Sequence, residues 1–260
     1  MSTKILNISD IELPIIDTSI QSTRKEIENE KYEIADVDSE VKTVGLHKKQ
    51  NKIVTYLNLS IKRIADILGS LVGIIFLIPI TIIVAIVNFL NKDYGPIFYS
   101  HKRIGKDGKY FKMYKFRTMI VDADEKLSEL LENDEEARKE WDMNRKLKND
   151  PRITKIGKIL RKTSIDEFPQ FLNVLKGEMS LVGPRAVIDG EIEKFGVYKK
   201  DILSVKPGIT GYWAANGRSS TSYDERVFME HKYVENFSIL MDVKILIKTV
   251  VSVLKKEGAV

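Results

Sequence analysis

The chain has no cysteine, so disulfides, thiolate zinc sites and thiol nucleophiles are excluded. Histidine is nearly as scarce: His47, His101 and His231 are far apart, which argues against a histidine-based metal site. No G-x-x-x-x-G-K-[ST] sequence occurs, and no G-x-G-x-x-G follows a strand pattern, so ATP and dinucleotide sites lack support. A cleavable signal peptide is not visible either, because the first apolar run is short and broken by Asp10 and Glu12.

What is present is a charge asymmetry and one long apolar run. The 260 residues allow one large domain, or one domain with appendages. The first 50 hold 7 basic and 10 acidic side chains, net −3, which leaves 35 and 27, net +8, on the other 210. A basic body suits nucleic acid, an anionic membrane surface or a phosphorylated substrate. Residues 1–50 are polar and charge-mixed, and are expected to form a poorly ordered tail with a short element near Ile11–Ile16.

From Ile67 to Val87 about twenty consecutive residues carry no charge, enough to cross about 30 Å of hydrocarbon. Pro79 stands at mid-run, where it removes a helical hydrogen bond and bends the axis. Lys62 and Arg63 precede the run and Lys92 follows it, so a straight span would leave cations on the wrong side. The pattern allows two readings: a helix broken at Pro79 that enters one leaflet and returns, or a kinked ordinary span.

Beyond the run, Ile97–Arg103 and Tyr110–Arg117 flank Gly105-Lys106-Asp107-Gly108, which predicts a β-hairpin. Residues 122–149 are charged at helical spacing and predict a solvated helix or two. In "ITKIGKILRK", Ile153, Ile156, Ile159 and Leu160 share one face and Lys155, Lys158, Arg161 and Lys162 the other. This is a helix lying on a membrane surface, or one packed on a core with a basic outer face. The C-terminal "ILMDVKILIKTVVSVLKK" is amphipathic too, and Asp242, Lys244 and Lys248 interrupt it too often for a span. The expected fold is therefore α+β and mostly helical. It is a monotopic membrane protein with a membrane helix over 51–92, amphipathic surface helices, a small β-hairpin or sheet, and a body over 93–260.

Chemistry concentrates in "RKTSIDEFPQFLNVLKGEMSLVGPR", Arg161 to Arg185, where Asp166 and Glu167 stand side by side before Pro169. Ser164-x-x-Glu167 has capping-box spacing, but Pro169 opposes a helix running undisturbed from Ser164. A start nearer Asp166 would put the proline in the first turn. The turn Gly183-Pro184-Arg185, "KPGITGYW" and "NGRSS" add glycine-bearing loops and cations, which permit close backbone approach to phosphate. A second acid pair, Asp122-Ala-Asp124, resembles the D-x-D metal site of nucleotide-sugar glycosyltransferases, although acids are expected where it opens a charged helix.

"KFRTM", "LRKTSIDEFPQFLNVLKGEMSLVGPR", "PGITGYW", "NGRSS" and the closing "DVKILIKTV" together resemble the bacterial sugar transferases, or monotopic phosphoglycosyl transferases, from about Leu59 onward. The resemblance implies transfer of a hexose 1-phosphate from a UDP-sugar to undecaprenyl phosphate, with release of UMP. The setting would be the cytoplasmic face of the bacterial cytoplasmic membrane, at the first membrane step of capsule or exopolysaccharide synthesis. It implies a re-entrant helix broken at Pro79, Asp166 as nucleophile forming a covalent phospho-sugar, and Glu167 as ligand of Mg²⁺. Arg117, Arg161, Arg185, Pro184 and Arg218 would bind the substrate. The aromatic after the second glycine of "PGITGYW" leans toward glucose or galactose. Membrane lipid is an expected partner, nucleic acid is not, and a homodimer is left open. The alternatives are a membrane-associated glycosyltransferase using Asp122 and Asp124, or a non-catalytic membrane-anchored scaffold.

Overall fold

The computed structural model describes residues 52–144, 146–217 and 221–255; the tail at 1–50 and Arg218 lie outside the described residues. The chain divides into two compact units, Met1–Thr55 and Tyr56–Val260. The second is mostly helical with two small sheets.

Helix α1, Lys52–Leu90, is one element that contains Pro79. The expected break into two helices therefore does not interrupt it. Proline removes a single i→i−4 hydrogen bond, here the one to the Ile75 carbonyl, and the flanking turns still close. Asp66, Ser70, Gly73, Leu77, Val84 and Asn88 are buried, a stripe at heptad-like spacing along one side. Ile64, Leu68, Leu71, Val72, Ile75, Phe76, Ile78, Ile82, Ile83, Ile86, Phe89 and Leu90 are all exposed. A helix whose unburied faces are lined by large apolar side chains has the surface of a membrane element, and its hydropathy and length allow a membrane span.

Strands β1 (Phe98–Ile104) and β2 (Tyr110–Phe116) form the expected antiparallel hairpin, registered from Phe98↔Phe116 to Ile104↔Tyr110. Its turn places Asp107 at φ 56° and Gly108 at φ 74°, the left-handed region that this Asp-Gly pair tolerates. Helices α2 (Ala123–Asn133) and α3 (Glu135–Asn144) are the charged pair. Helix α4, Lys155–Lys162, is capped by Thr154, whose hydroxyl accepts from Gly157 N at 3.0 Å. Only part of its expected apolar face is packed: Leu160 and Gly157 are buried, but Ile159 is 58% exposed.

Then come α5 (Gln170–Lys176) and β3 (Ser180–Val182), a 3-10 segment (Ile192–Tyr198) and α6 (Lys199–Leu203). They are followed by β4 (Gly208–Thr210) and α7 (Tyr212–Asn216). Strands β3 and β4 pair in parallel through Ser180↔Gly208 and Val182↔Thr210. Helix α8, Tyr223–Glu235, opens with a full capping box between Ser222 and Glu225. Helix α9, Ile239–Lys255, buries Ile245 and exposes Leu240, Val243, Ile247, Val250 and Val251, an apolar stripe at helical spacing.

Helix α1 packs along the body rather than projecting from it. A Cβ at Gly69 would strike Leu181, and one at Gly73 the ring of Phe171. Leu77 and Val84 join Phe116 and Leu160 in one buried cluster, with Ile165, Phe168 and Leu172 against it. Charged residues fasten the other end. Lys62 pairs with Asp242 at 2.6 Å and donates to Val182 O at 2.9 Å. Arg63 donates to Val174 O and Leu175 O in the last turn of α5. Asp66 accepts from Ser180 Oγ and Leu181 N, each at 2.9 Å.

Candidate active site

The acid pair sits in a 3-10 turn, Ile165–Glu167, between α4 and α5. Capping-box geometry is not formed. Ser164 adopts φ 57° and ψ 15° without a side-chain capping bond, and Pro169 stands at the cap position before Gln170. A left-handed serine two residues before the acid pair is a strained backbone position, of the kind that clusters at functional sites. The turn separates the two carboxylates, and one side chain reconnects them. Lys115, from β2, lies 2.7 Å from Glu167 Oε1 and 3.7 Å from Asp166 Oδ2.

Glu167 lines a cleft together with Lys115, Gln170, Arg185, Trp213 and Glu230, and Asp166 lies just beside it on the same ammonium. Burial pushes the Asp166 carboxyl above its ordinary range. Lys115 pulls it back, Glu167 adds to the rise, and Arg161 opposes it. The cations thus temper the effect of burial without cancelling it. Arg161 donates through Nε to Thr118 Oγ1 at 2.9 Å, and it acts on Asp166 through its charge without lining the cleft.

Arg185 is exposed at the cleft, its guanidinium 5.9 Å from the Trp213 ring centre. Pro184 is buried and its carbonyl accepts from Gly208 N at 2.9 Å, so it shapes the turn that carries Arg185. The close approach that the glycines were expected to offer to phosphate is used by the loops themselves. A Cβ at Gly208 would strike Gly183 N, and one at Gly211 the Gly183 carbonyl.

Arg117 is differently employed. It is 8% exposed and donates to Pro96 O, Met119 O and Asp93 Oδ1 at 2.6, 2.9 and 2.8 Å. Burial pushes Asp93 up, but the Arg117 hydrogen bond, the Gly95 amide and the Arg117 charge together hold it below the usual range. Arg117 ties the end of α1 to β2 and does not line the cleft. Asp122 and Asp124 stand exposed at the start of α2, away from it. Lys115, Trp213 and Glu230 were not singled out as site residues from the sequence. Lys115 lies within the quoted "KFRTM" run, and its only signal was that position.

Among the described residues no three His, Cys, Asp or Glu side chains converge on a metal position. Glu167 at the cleft, with Asp166 beside it, is nevertheless a donor set that suits Mg²⁺. That ion usually takes one or two carboxylates and fills its shell with waters and phosphate oxygens.

Residues 57–256 match the family model for bacterial sugar transferases. A UDP-galactose-lipid carrier transferase of Erwinia amylovora is 46% identical over 216 residues, which cover 83% of this chain and 45% of that protein. An undecaprenyl-phosphate galactose phosphotransferase of Salmonella typhimurium is 44% identical with the same coverage. The exopolysaccharide production protein ExoY of Rhizobium meliloti is 43% identical over 199 residues, 76% of this chain and 87% of its own length. The chain thus spans about half the length of the first two relatives and most of the third.

Proposed function

The chain belongs to the bacterial sugar transferase family, and from that premise we propose that it moves a hexose 1-phosphate from a UDP-sugar to undecaprenyl phosphate, releasing UMP. Its reaction would be the first membrane step of capsule or exopolysaccharide synthesis. The carrying observation is the location of the acid pair. Polar groups of the cleft lie on one side of it, and Ile165 and Phe168, which flank it, pack with Leu77 and Val84 of α1. A water-soluble donor and a lipid-borne acceptor can both reach such a position.

An Asp166 carboxylate oxygen attacks the phosphorus next to the sugar. The bond from that phosphorus to the oxygen of the nucleotide's own phosphate breaks, and UMP leaves with the electron pair. An acyl phosphate of the sugar remains on Asp166. A phosphate oxygen of the polyprenyl acceptor then attacks the same phosphorus and frees the carboxylate, so one difficult displacement becomes two easier ones. Burial leaves Asp166 weakly solvated, and Lys115 keeps its charge tolerable. Arg185 and Arg161 offer planar paired donors to phosphate oxygens, which a lysine cannot match. Glu167 would hold Mg²⁺, whose chemistry is to offset charge on the diphosphate. Galactose, named in two of the relatives, and glucose are the favoured hexoses.

The packing of α1 supports a re-entrant or in-leaflet helix. Its buried stripe runs from Asp66 to Asn88, and at about 1.5 Å per residue that is roughly 33 Å of contact with the body. A straight crossing would carry Phe116, Leu160 and the neighbouring acid pair into about 30 Å of hydrocarbon. A body on the cytoplasmic face beside a helix that does not cross avoids that cost.

The test is UMP release from UDP-galactose and undecaprenyl phosphate by the full chain in membranes. Asp166→Asn should abolish both UMP release and the labelled sugar phosphate trapped on the protein. Its thermal stability should hold or rise, because a neutral amide escapes the burial penalty. Substantial turnover by Asp166→Asn would end the assignment. Release of UDP instead of UMP would favour a direct glycosyltransferase.

A further inference from the structure

Glu230 is the most deeply buried acid near the cleft, with 2% of its surface exposed. From α8 it reaches two loops at once. Its Oε1 accepts from Arg185 N at 3.0 Å, and its Oε2 abuts Gly211, lying 3.7 Å from where a Cβ on that residue would stand. Oε2 itself is buried without a hydrogen-bond partner. One turn earlier on α8, Arg226 is 8% exposed, and its Nε and one terminal nitrogen are likewise buried and unpartnered. Its guanidinium lies 4.9 Å from the Trp213 ring centre and 5.2 Å from that of Tyr223. Arg185 approaches the same indole from the cleft. Two cations thus share one aromatic plate, and one buried carboxylate stands behind both.

This is a poor arrangement for stability. A buried acid and base with orphan atoms cost more than apolar residues of the same volume would. Such an expense is typical of sites that orient reacting groups. We propose that Glu230 is a positioning residue for the transfer reaction, fixing through the Arg185 backbone the direction in which that guanidinium enters the cleft, and balancing Arg226 behind Trp213. The proposal rests on the reading of the cleft as the donor-phosphate site.

Three restraints anchor Arg185. They are Pro184, whose ring limits the backbone, the bridge to Gly208, and the Glu230 carboxylate on the Arg185 N–H. With all three in place, its Cα–Cβ direction is set and only the side-chain rotamers remain free. Burial pushes the Glu230 carboxyl up to about 7, against the Arg185 amide and the Arg226 and Arg185 charges. Tyr223 and Tyr233 are the other titratable groups that sense it.

The experiment uses the full chain carrying Trp141→Phe, which leaves Trp213 as its one indole. Glu230→Ala should raise KM for the UDP-sugar about tenfold more than it lowers kcat, as expected when a binding group is misdirected. Glu230→Gln keeps an acceptor for the Arg185 N–H and should bring KM back to within about threefold of wild type. An unchanged KM in Glu230→Ala, or a Gln variant no better than Ala, overturns the proposal. A second readout needs no turnover. Without substrate, Trp213 fluorescence should titrate with a midpoint near 7 and lose that step in Glu230→Gln. No step in the parent protein overturns the proposal. If the parent makes no UMP, the reading of the cleft fails and the positioning role falls with it, while a fluorescence step lost in Glu230→Gln still shows the carboxylate coupled to Trp213. If Glu230→Ala does not fold, the Gln titration carries the test.

Discussion

Lys115 holds two carboxylates with one ammonium, and its removal should be legible in a pH profile. It lowers the Asp166 pKa against burial and Glu167, so Lys115→Met should raise that pKa further. The acid limb of kcat/KM then moves to higher pH, and activity falls across that limb. A profile with an unmoved acid limb would show that Lys115 does not govern the nucleophile. Glu230 makes a stability statement of its own. Its folded value near 7 stands above the ordinary 4.5. The stability it contributes is therefore complete below 4.5 and is lost as pH rises through about 7. Between those limits the difference is on the order of 3 kcal/mol. Thermal melts at about pH 5 and about pH 8 should differ for the parent protein, and the gap should shrink in Glu230→Gln. The acid pair was legible in the sequence because adjacency and a following proline mark it. Lys115 was not, since only the fold carries β2 to the turn. Arg117 lies off the cleft because the partners of its guanidinium include two backbone carbonyls, and a sequence pattern does not display those.

Among the elements, α4 depends on a contact that composition hides. A Cβ at Gly157 would run into the Thr118 carbonyl. Helix propensity alone says that Gly157→Ala should stabilise α4 by about 1 kcal/mol. The collision says that it should destabilise by about 1–3 kcal/mol, the range for overpacking. The second effect wins, because the clash is with backbone, which cannot rotate away. The melting temperature should fall, and Arg161, held to Thr118, should shift with the helix. A higher melting temperature would mean that the α4–Thr118 contact is loose. The hairpin was readable to within one residue at each strand end because alternation and an Asp-Gly turn encode it locally. The charged pair α2–α3 and the amphipathic α9 were readable by their period. Strands β3 and β4 were not assigned in advance. Three residues each, paired in parallel across a long connection, leave no periodic trace.

For the whole molecule the open question of the sequence was which way α1 goes. Cysteines placed at Lys49 and Tyr94 are clean probes, because the chain has none of its own. Both should react with an impermeant reagent only from the cytoplasmic side. Labelling of the wild-type tail from outside, with Tyr94 labelled from inside, would replace the re-entrant reading with a kinked span. The heptad-like stripe of α1 carries one more consequence. A chain begun after Leu90 would lose Leu77 and Val84 from the cluster around Phe116 and Leu160. It would also strip the Lys62 partner from Asp242 and the Asp66 acceptor from Ser180 and Leu181. The membrane helix is thus not a tether from which a soluble enzyme can be cut. It is a wall of the catalytic body, and purification has to carry that wall along in detergent or lipid.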